Sequence, residues 1–392
     1  MLSEVQHNSL LDSLQDSTSI KGLTHNYYNY PARFSPLFAK SVIETFSSPG
    51  DTVLDPFMGG GTSLVEAFVA GRRSAGNDIN QLSFFLSKVK TTLIKDEDLY
   101  FIINFIKEKT DKLKIYDSVV YDDFWVDHGY HRNLNTKESW RIRKTIAQLI
   151  NFSAEIKDSK LNGFYRCILL KSAQWALDNN LKIPNVEQFK EKLLSSSYEM
   201  AEGMKQLYNR VIEKEYYTPT LLYGSADNIN KKIIDEFVPF KLIVTSPPYP
   251  GVHMLYHRWQ IRGRKETSAP YWISSTEDGH GEAYYTLGSR SQKGHENYYN
   301  LLFRTYKSLS EIIDRNTVVA QLVAFSQPNW QLSRFLEVME AAGYKEIILR
   351  DSSKKDDGRI WREVPHRKWY ISQKASLNTA KEVLLLHTLR NI

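Results

Sequence analysis

The chain has 392 residues, 42% hydrophobic and 24% charged, with 51 Lys and Arg against 45 Asp and Glu for a net charge of +6. This balance fits a globular protein of two or three domains, and the basic excess suits a polyanionic partner. The single cysteine, Cys167, excludes a disulfide framework and a cysteine zinc site, and no apolar run is long enough to span a bilayer.

Residues 1–24 predict a short helix or a loose tail. The opening MLSEVQHNSLLDSLQDS is polar and acidic, unlike a secretory leader, so a cytoplasmic protein is expected. An aromatic, proline-punctuated stretch runs from His25 to Pro36, and Pro36 to Phe46 has helical periodicity. Next come Thr52-Val53-Leu54, which predict a strand, the glycines 59–61, which predict a close-approach loop, and SLVEAFVAGR, which predicts a helix stopping at Gly71. Strand, glycine loop and helix form the plan of a nucleotide site. No Gly-Lys-Ser/Thr follows, so this is not a P-loop, and the third glycine of a dinucleotide fingerprint is missing. Asp55 opposes a pyrophosphate and suits a ligand with an amine-bearing part. A second strand leads to Asp78, where acidic side chains accept from ribose hydroxyls or cap a helix.

Residues 91–215 read as helical, with segments such as LYFIINFIKEKTDKLKIY and FYRCILLKSAQWALDN keeping their charges off the apolar stripe. An inserted helical region of this size is long enough for a domain of its own. Cys167 lies on its apolar pattern and reads as a core thiol. The pairs His128/His131 and His253/His257 lack a third ligand, so no metal is expected.

TPTLLYGSADNI predicts a strand ending at Asp227, and Lys241 to Val244 another that stops at Ser246-Pro247-Pro248-Tyr249. The prolines cannot donate to a ladder and hold the chain extended. The result is a stiff turn at the carboxyl end of a strand, where open α/β sheets bind ligands. A hydroxyl and an aromatic ring there suit a planar group carrying an amine. Taken alone, the same tetrapeptide equally fits a rigid surface turn or a polyproline ligand. Residues 251–295 read as a long irregular loop, in which Arg258, Arg262, Arg264 and Lys265 interleave with aromatics and suit nucleic acid. The competing reading is a solvated loop whose cations are offset by Glu266, Glu277, Asp278 and Glu282. Helical and strand patterns then alternate to the end of the chain, which predicts an α/β fold with a doubly wound, mostly parallel sheet.

Together, LDPFMGGGT, Asp78 and TSPPY resemble the S-adenosylmethionine-dependent DNA amino-methyltransferases, which methylate exocyclic nitrogens. Tyr30-Pro-Ala-Arg-Phe34-Ser-Pro36 is similar to that family's N-terminal cofactor motif. The resemblance covers about residues 25–90 and 220–392. It implies a Rossmann-like catalytic domain from residues 1–90 and 216–392 and leaves the helical insertion 91–215 unaccounted for; that insertion is expected to clamp the flanking duplex and share in reading DNA. The resemblance also implies S-adenosyl-L-methionine as cofactor and double-stranded DNA as partner, any restriction endonuclease being a separate chain. By this resemblance Phe34 and the loop of Asp55, Pro56, Phe57, Gly59, Gly61 and Thr62 hold the methionine part of the cofactor. Asp78 takes the ribose hydroxyls and Asp227 the adenine amine. Ser246, Pro247, Pro248 and Tyr249 hold the target base, with the Tyr249 ring stacking on it. Serine at the first position usually accompanies N4 of cytosine, so transfer to that amine is expected. N6 of adenine, an RNA base and a catalytically silent nucleic-acid binder are the alternatives. C5 transfer is disfavoured, because it needs a cysteine after proline and Cys167 follows Arg166. The cofactor half precedes the catalytic half, a permuted order relative to many SPPY enzymes.

Overall fold

A computed structural model describes residues 4–16, 22–30, 35–233, 235–250, 258–263, 265–279, 287, 291–325, 327–348, 357–363 and 381–390. In chain order the strands are β1 (Thr52–Asp55), β2 (Arg73–Asp78), β3 (Thr220–Tyr223), β4 (Phe240–Thr245), β5 (Trp259–Ile261), β6 (Lys265–Thr267), β7 (Ile313–Phe325), β8 (Tyr344–Ile347), β9 (Ile360–Glu363) and β10 (Lys381–Leu389). Apolar runs form β1, β4, β7 and β10, with Asp55 closing the first and the Ser-Pro-Pro turn following the second. The main sheet runs β3-β2-β1-β4-β7-β10-β8, and β9 also pairs with β10. The first five are mutually parallel, while β10 is antiparallel to β7, β8 and β9.

Side-chain alternation supplies two apolar faces. Val53, Leu242, Val244, Leu322, Leu384 and Leu386 pack with α1 (Glu4–Gln15) and α2 (Pro36–Phe46). Leu54, Ile243, Val319, Val323 and Leu385 pack with helices Gln292–Ser310 and Pro328–Ala341. The doubly wound sheet expected from the pattern is therefore present. No helix among the described residues is long and apolar enough to cross a membrane, and none of their His, Cys, Asp and Glu side chains cluster for a metal.

The helical insertion differs from its expected form. Helices α5 (Asp96–Asp111), α6 (Asp123–Asp127), α7 (Trp140–Ser153), α8 (Ser159–Leu177) and α9 (Val186–Ile212) lie in the crossover from β2 to β3. They do not close a core of their own. They share one with α3 (Thr62–Val69), α4 (Gln81–Thr91) and residues 27–30. The outer faces of α3 and α4 carry Val65, Phe68, Leu82, Leu86 and Val89, and these apolar side chains need a cover. At Gly203 on α9 a Cβ would sit 2.1 Å from the Leu23 carbonyl oxygen, so bare backbone lets residues 22–24 lie on the helix.

The long loop is also corrected. Residues 251–295 contain the β5–β6 hairpin, α10 (Ala269–Ser274) and the start of helix Gln292–Ser310, while 251–257, 264, 280–286 and 288–290 lie outside the described residues. Trp259, Ile261, Tyr271, Trp272 and Ile273 are buried in the helical core, so these aromatics anchor the segment. The Trp259 indole donates to Tyr28 Oη at 2.9 Å, and Arg166 Nη1 donates to the Ile273 carbonyl at 2.9 Å. The two candidate DNA-reading regions are thus one body.

His387 on β10 gives a pH-dependent term. Its Nδ1 lies 3.2 Å from Gln321 Nε2, its Nε2 has no hydrogen-bond partner, and burial holds its pKa down to about 3. Unfolded histidine titrates near ~6.5, so between these values the unfolded chain binds the extra proton and this stability term is lost as pH falls. Relative to a His387→Leu variant, wild type should lose up to ~1.4 kcal/mol per pH unit on acidification from about pH 6 to 4. Urea unfolding of both proteins at several pH values checks this; a constant difference contradicts a neutral buried ring.

Candidate active site

The candidate site gathers at the carboxyl ends of β2, β1 and β4. Strand β1 lies between β2 and β4, with Leu54 in register with Ala75 and with Ile243. Asp55 closes β1 and is 1% exposed. It accepts hydrogen bonds from Thr245 Oγ1 at 2.7 Å, from the Phe57 amide at 3.1 Å and from Ser63 Oγ. Burial raises its pKa to about 6 against these opposing donors. The expected contact between Asp55 and a ligand amine is therefore corrected. The carboxylate is a strut that ties the glycine loop and α3 to the last residue of β4.

Beyond Pro56 and Phe57, the loop turns at Gly59 (φ 47°) and Gly61 (φ 71°) and enters α3 at Thr62. Both glycines sit in the left-handed region, where a Cβ is strained. A Cβ on Gly61 would also lie 2.6 Å from Ser87 Oγ, and one on Gly60 3.1 Å from Tyr30 Cβ. Tyr30 thus covers the loop. Lys90, fully buried, donates from Nζ to the Gly60 carbonyl at 2.6 Å. Sequence reasoning missed Lys90, although Leu82, Leu86 and Lys90 recur every fourth residue on one face of α4, a spacing that puts the lysine on the buried stripe.

Asp78 closes β2 and is only partly buried. Its Oδ2 accepts from the Gly59 amide and its Oδ1 from the Asn80 amide, both at 2.9 Å. Burial raises its pKa and these amides oppose the rise. The helix cap considered for it belongs instead to Asn80, whose side chain accepts from the Leu82 amide. Asn77, also unnoticed in the sequence, donates to the Pro56 and Gly224 carbonyls and links the ends of β1 and β3.

Asp227 lies past the strand rather than on it: β3 stops at Tyr223, and Asp227 sits in a 3-10 turn, Ala226–Lys231. Gly224 (φ 121°) turns the chain after its amide donates to the Asp78 carbonyl at 2.9 Å. Arg304 Nη2 is 2.8 Å from Asp227 Oδ2, and Asn228 Nδ2 donates to its Oδ1.

The Ser-Pro-Pro-Tyr turn leaves β4 as expected. Ser246 is half-buried, whereas Tyr249 is 6% exposed and lies in the apolar core beside Tyr298 and Tyr299. The ring is thus packed into this core rather than laid out in the open as the stacking reading expects. Its hydroxyl makes the contacts instead: Ser246 Oγ donates to Tyr249 Oη at 3.2 Å, and Tyr249 Oη donates to Glu382 Oε1 at 2.8 Å. Tyr298 Oη donates to the Pro248 carbonyl at 2.9 Å and braces the turn, in which Pro247 is buried.

The basic residues divide. Arg258 Nε donates to Asp278 Oδ2 at 2.9 Å and its Nη1 lies 3.7 Å from Glu266, an ion-pair set within the segment itself. Arg262 is exposed at the hairpin tip, 3.6 Å from Glu138, and Lys265 is exposed beside it. Phe34 and Arg264 lie outside the described residues.

A family model described as DNA methylase matches residues 3–88. The chain is similar to the Type II methyltransferase M.MvaI of Kocuria varians, 31% identical over 264 residues, 59% of this chain and 54% of that protein. It is similar to the Type II methyltransferase M.BsoBI of Geobacillus stearothermophilus, 28% identical over 257 residues, 57% of this chain and 49% of that protein. Against the DNA adenine methyltransferase YhdJ of Escherichia coli it is 34% identical over 74 residues, 19% of this chain and 25% of that protein. The chain thus spans about half the length of the two Type II relatives.

The residues present fit S-adenosyl-L-methionine. The glycine loop spends its buried lysine on a carbonyl, and carboxylates stand at the end of β2 and just past β3. That set lacks a phosphate cradle and offers acceptors to hydroxyls and an amine.

Proposed function

From the match of residues 3–88 to a DNA methylase family model and the similarity to two Type II methyltransferases, we propose that this chain is a DNA methyltransferase acting on the exocyclic N4 amine of a flipped-out cytosine. The observation that carries this reading is Ser246. It is half-buried at the mouth of the sheet, and its hydroxyl proton is committed to Tyr249. The oxygen lone pairs are left to accept from a target amine. Adenine N6 is the second reading, supported by the similarity to the E. coli adenine methyltransferase over 74 residues.

When bound, S-adenosyl-L-methionine supplies an electrophilic methyl carbon on a sulfonium, which takes up the amine's electron pair as its C–S bond breaks to a neutral thioether. Asp78 accepts from the ribose hydroxyls and Asp227 from the adenine amine. The bare backbone at residues 59–61 permits close approach. Ser246 accepts an N–H bond from the target amine and draws its lone pair out of conjugation with the ring. Fixing that nitrogen in line lowers the barrier through orientation. The extra proton on the methylated nitrogen then leaves to water. Arg262 and Lys265 at the hairpin tip face the duplex backbone, whereas Arg258 serves the segment's own fold.

The test is incubation of the full chain with methyl-labelled cofactor and, separately, duplex DNA and structured RNA. Label is expected in DNA. Label confined to RNA overturns the substrate, and label in neither overturns the enzyme reading.

A further inference from the structure

The antiparallel strand β10 brings its amino end to the carboxyl ends of its parallel neighbours. Glu382, its second residue, is in register with Ala324 near the end of β7 and with Arg362 on β9. Glu382 and Arg362 side chains are 6% and 7% exposed and 2.6 Å apart. Arg362 donates to Oε2 through both Nε and Nη2, which leaves Oε1 for Tyr249. A buried ion pair adds little net stability over well-packed apolar residues, so its presence here points to a role in specifying geometry.

We propose that Glu382, held by Arg362, fixes the direction of the hydrogen bonds through Tyr249 so that Ser246 can only accept from the target amine. The argument rests on donor and acceptor counting. A carboxylate only accepts, so the Tyr249 hydroxyl must donate to Glu382. The Tyr249 oxygen then accepts the Ser246 proton, and Ser246 Oγ presents lone pairs alone. With either link removed, the Ser246 hydroxyl rotates freely and can donate to the amine nitrogen. That bond ties up the electron pair that must attack the methyl carbon. Glu382, Arg362 and Tyr249 are thus positioning residues, and of these four side chains Ser246 is the one that meets the target amine. This inference rests on the reading of Ser246 as the group that receives the amine.

Tyr249→Phe deletes one oxygen and keeps the ring packing, so it is the primary variant. Its single-turnover methylation of duplex DNA, at saturating cofactor and DNA, should slow by roughly ten- to a hundred-fold, the scale of a lost orientation. Affinities for cofactor and DNA should be unchanged. Glu382→Gln should slow the same step, and the double variant should be no slower than Tyr249→Phe, because among the described residues the link from Glu382 to Ser246 runs through the tyrosine hydroxyl. In a Ser246→Ala background, Tyr249→Phe should have no further effect. Should Glu382→Gln fail to fold, the Ser246→Ala/Tyr249→Phe cycle decides alone. A Tyr249→Phe rate within about two-fold of wild type, or additive effects in that cycle, overturns the proposal. Wild type that places no methyl group on DNA overturns the underlying reading instead, a separate outcome.

Discussion

Ser246→Ala lowers the single-turnover rate of methyl transfer by about 10²–10³-fold, the cost of removing one preorganised hydrogen-bonding group from a reacting centre. Cofactor affinity stays at the wild-type value, since Asp78 and the glycine loop are untouched. The fold also survives. Ser246 lies past the end of β4 and its hydroxyl makes a side-chain bond to Tyr249, whose own bond to Glu382 remains. Rapid-quench kinetics against calorimetric cofactor binding separates the two quantities. A variant that transfers at the wild-type rate removes Ser246 from the reaction.

Asp78→Ala weakens S-adenosyl-L-methionine by roughly 1–3 kcal/mol, the range for a buried polar group left without its partner. Two losses combine. On the proposed assignment the ribose hydroxyls lose their acceptor, and the Gly59 amide loses Oδ2, which holds the loop at 2.9 Å. Asp78→Asn should be no milder. One amide oxygen cannot serve both Gly59 and Asn80, and the amide NH2 faces a donor at the other position. Calorimetry on folded variants checks this, and unchanged affinity in either removes the ribose assignment.

The stretches read most directly from the sequence were those in which local chemistry alone decides the conformation. Gly59 and Gly61 take positive φ, Gly71 follows the end of α3, and the two prolines end β4. The alternation of helical and strand patterns foretold a doubly wound sheet. Tertiary partnership was less legible. The apolar stripes of α5, α7, α8 and α9 showed that they bury a face, not that the face they meet is that of α3 and α4. Tyr249 carried no periodicity, so nothing marked its ring as core. Asp55 looked available because its three donors, Phe57, Ser63 and Thr245, meet only when β1, α3 and β4 assemble.

Glu382 did carry a signal. Glu382, Leu384 and Leu386 alternate, and a carboxylate on that apolar face needs a buried partner. Its partner Arg362 lies on another strand and is brought opposite by the β9–β10 register. The same logic applies to Arg258, whose charge looked available to DNA until Asp278 and Glu266 were placed beside it.

Nucleoside mass spectrometry of duplex DNA incubated with the full chain and S-adenosyl-L-methionine tests the central claim most directly. The site built around Ser246 predicts N4-methylcytosine, lost in Ser246→Ala. N6-methyladenine as the sole product, or no modified nucleoside under conditions where the cofactor binds, contradicts it.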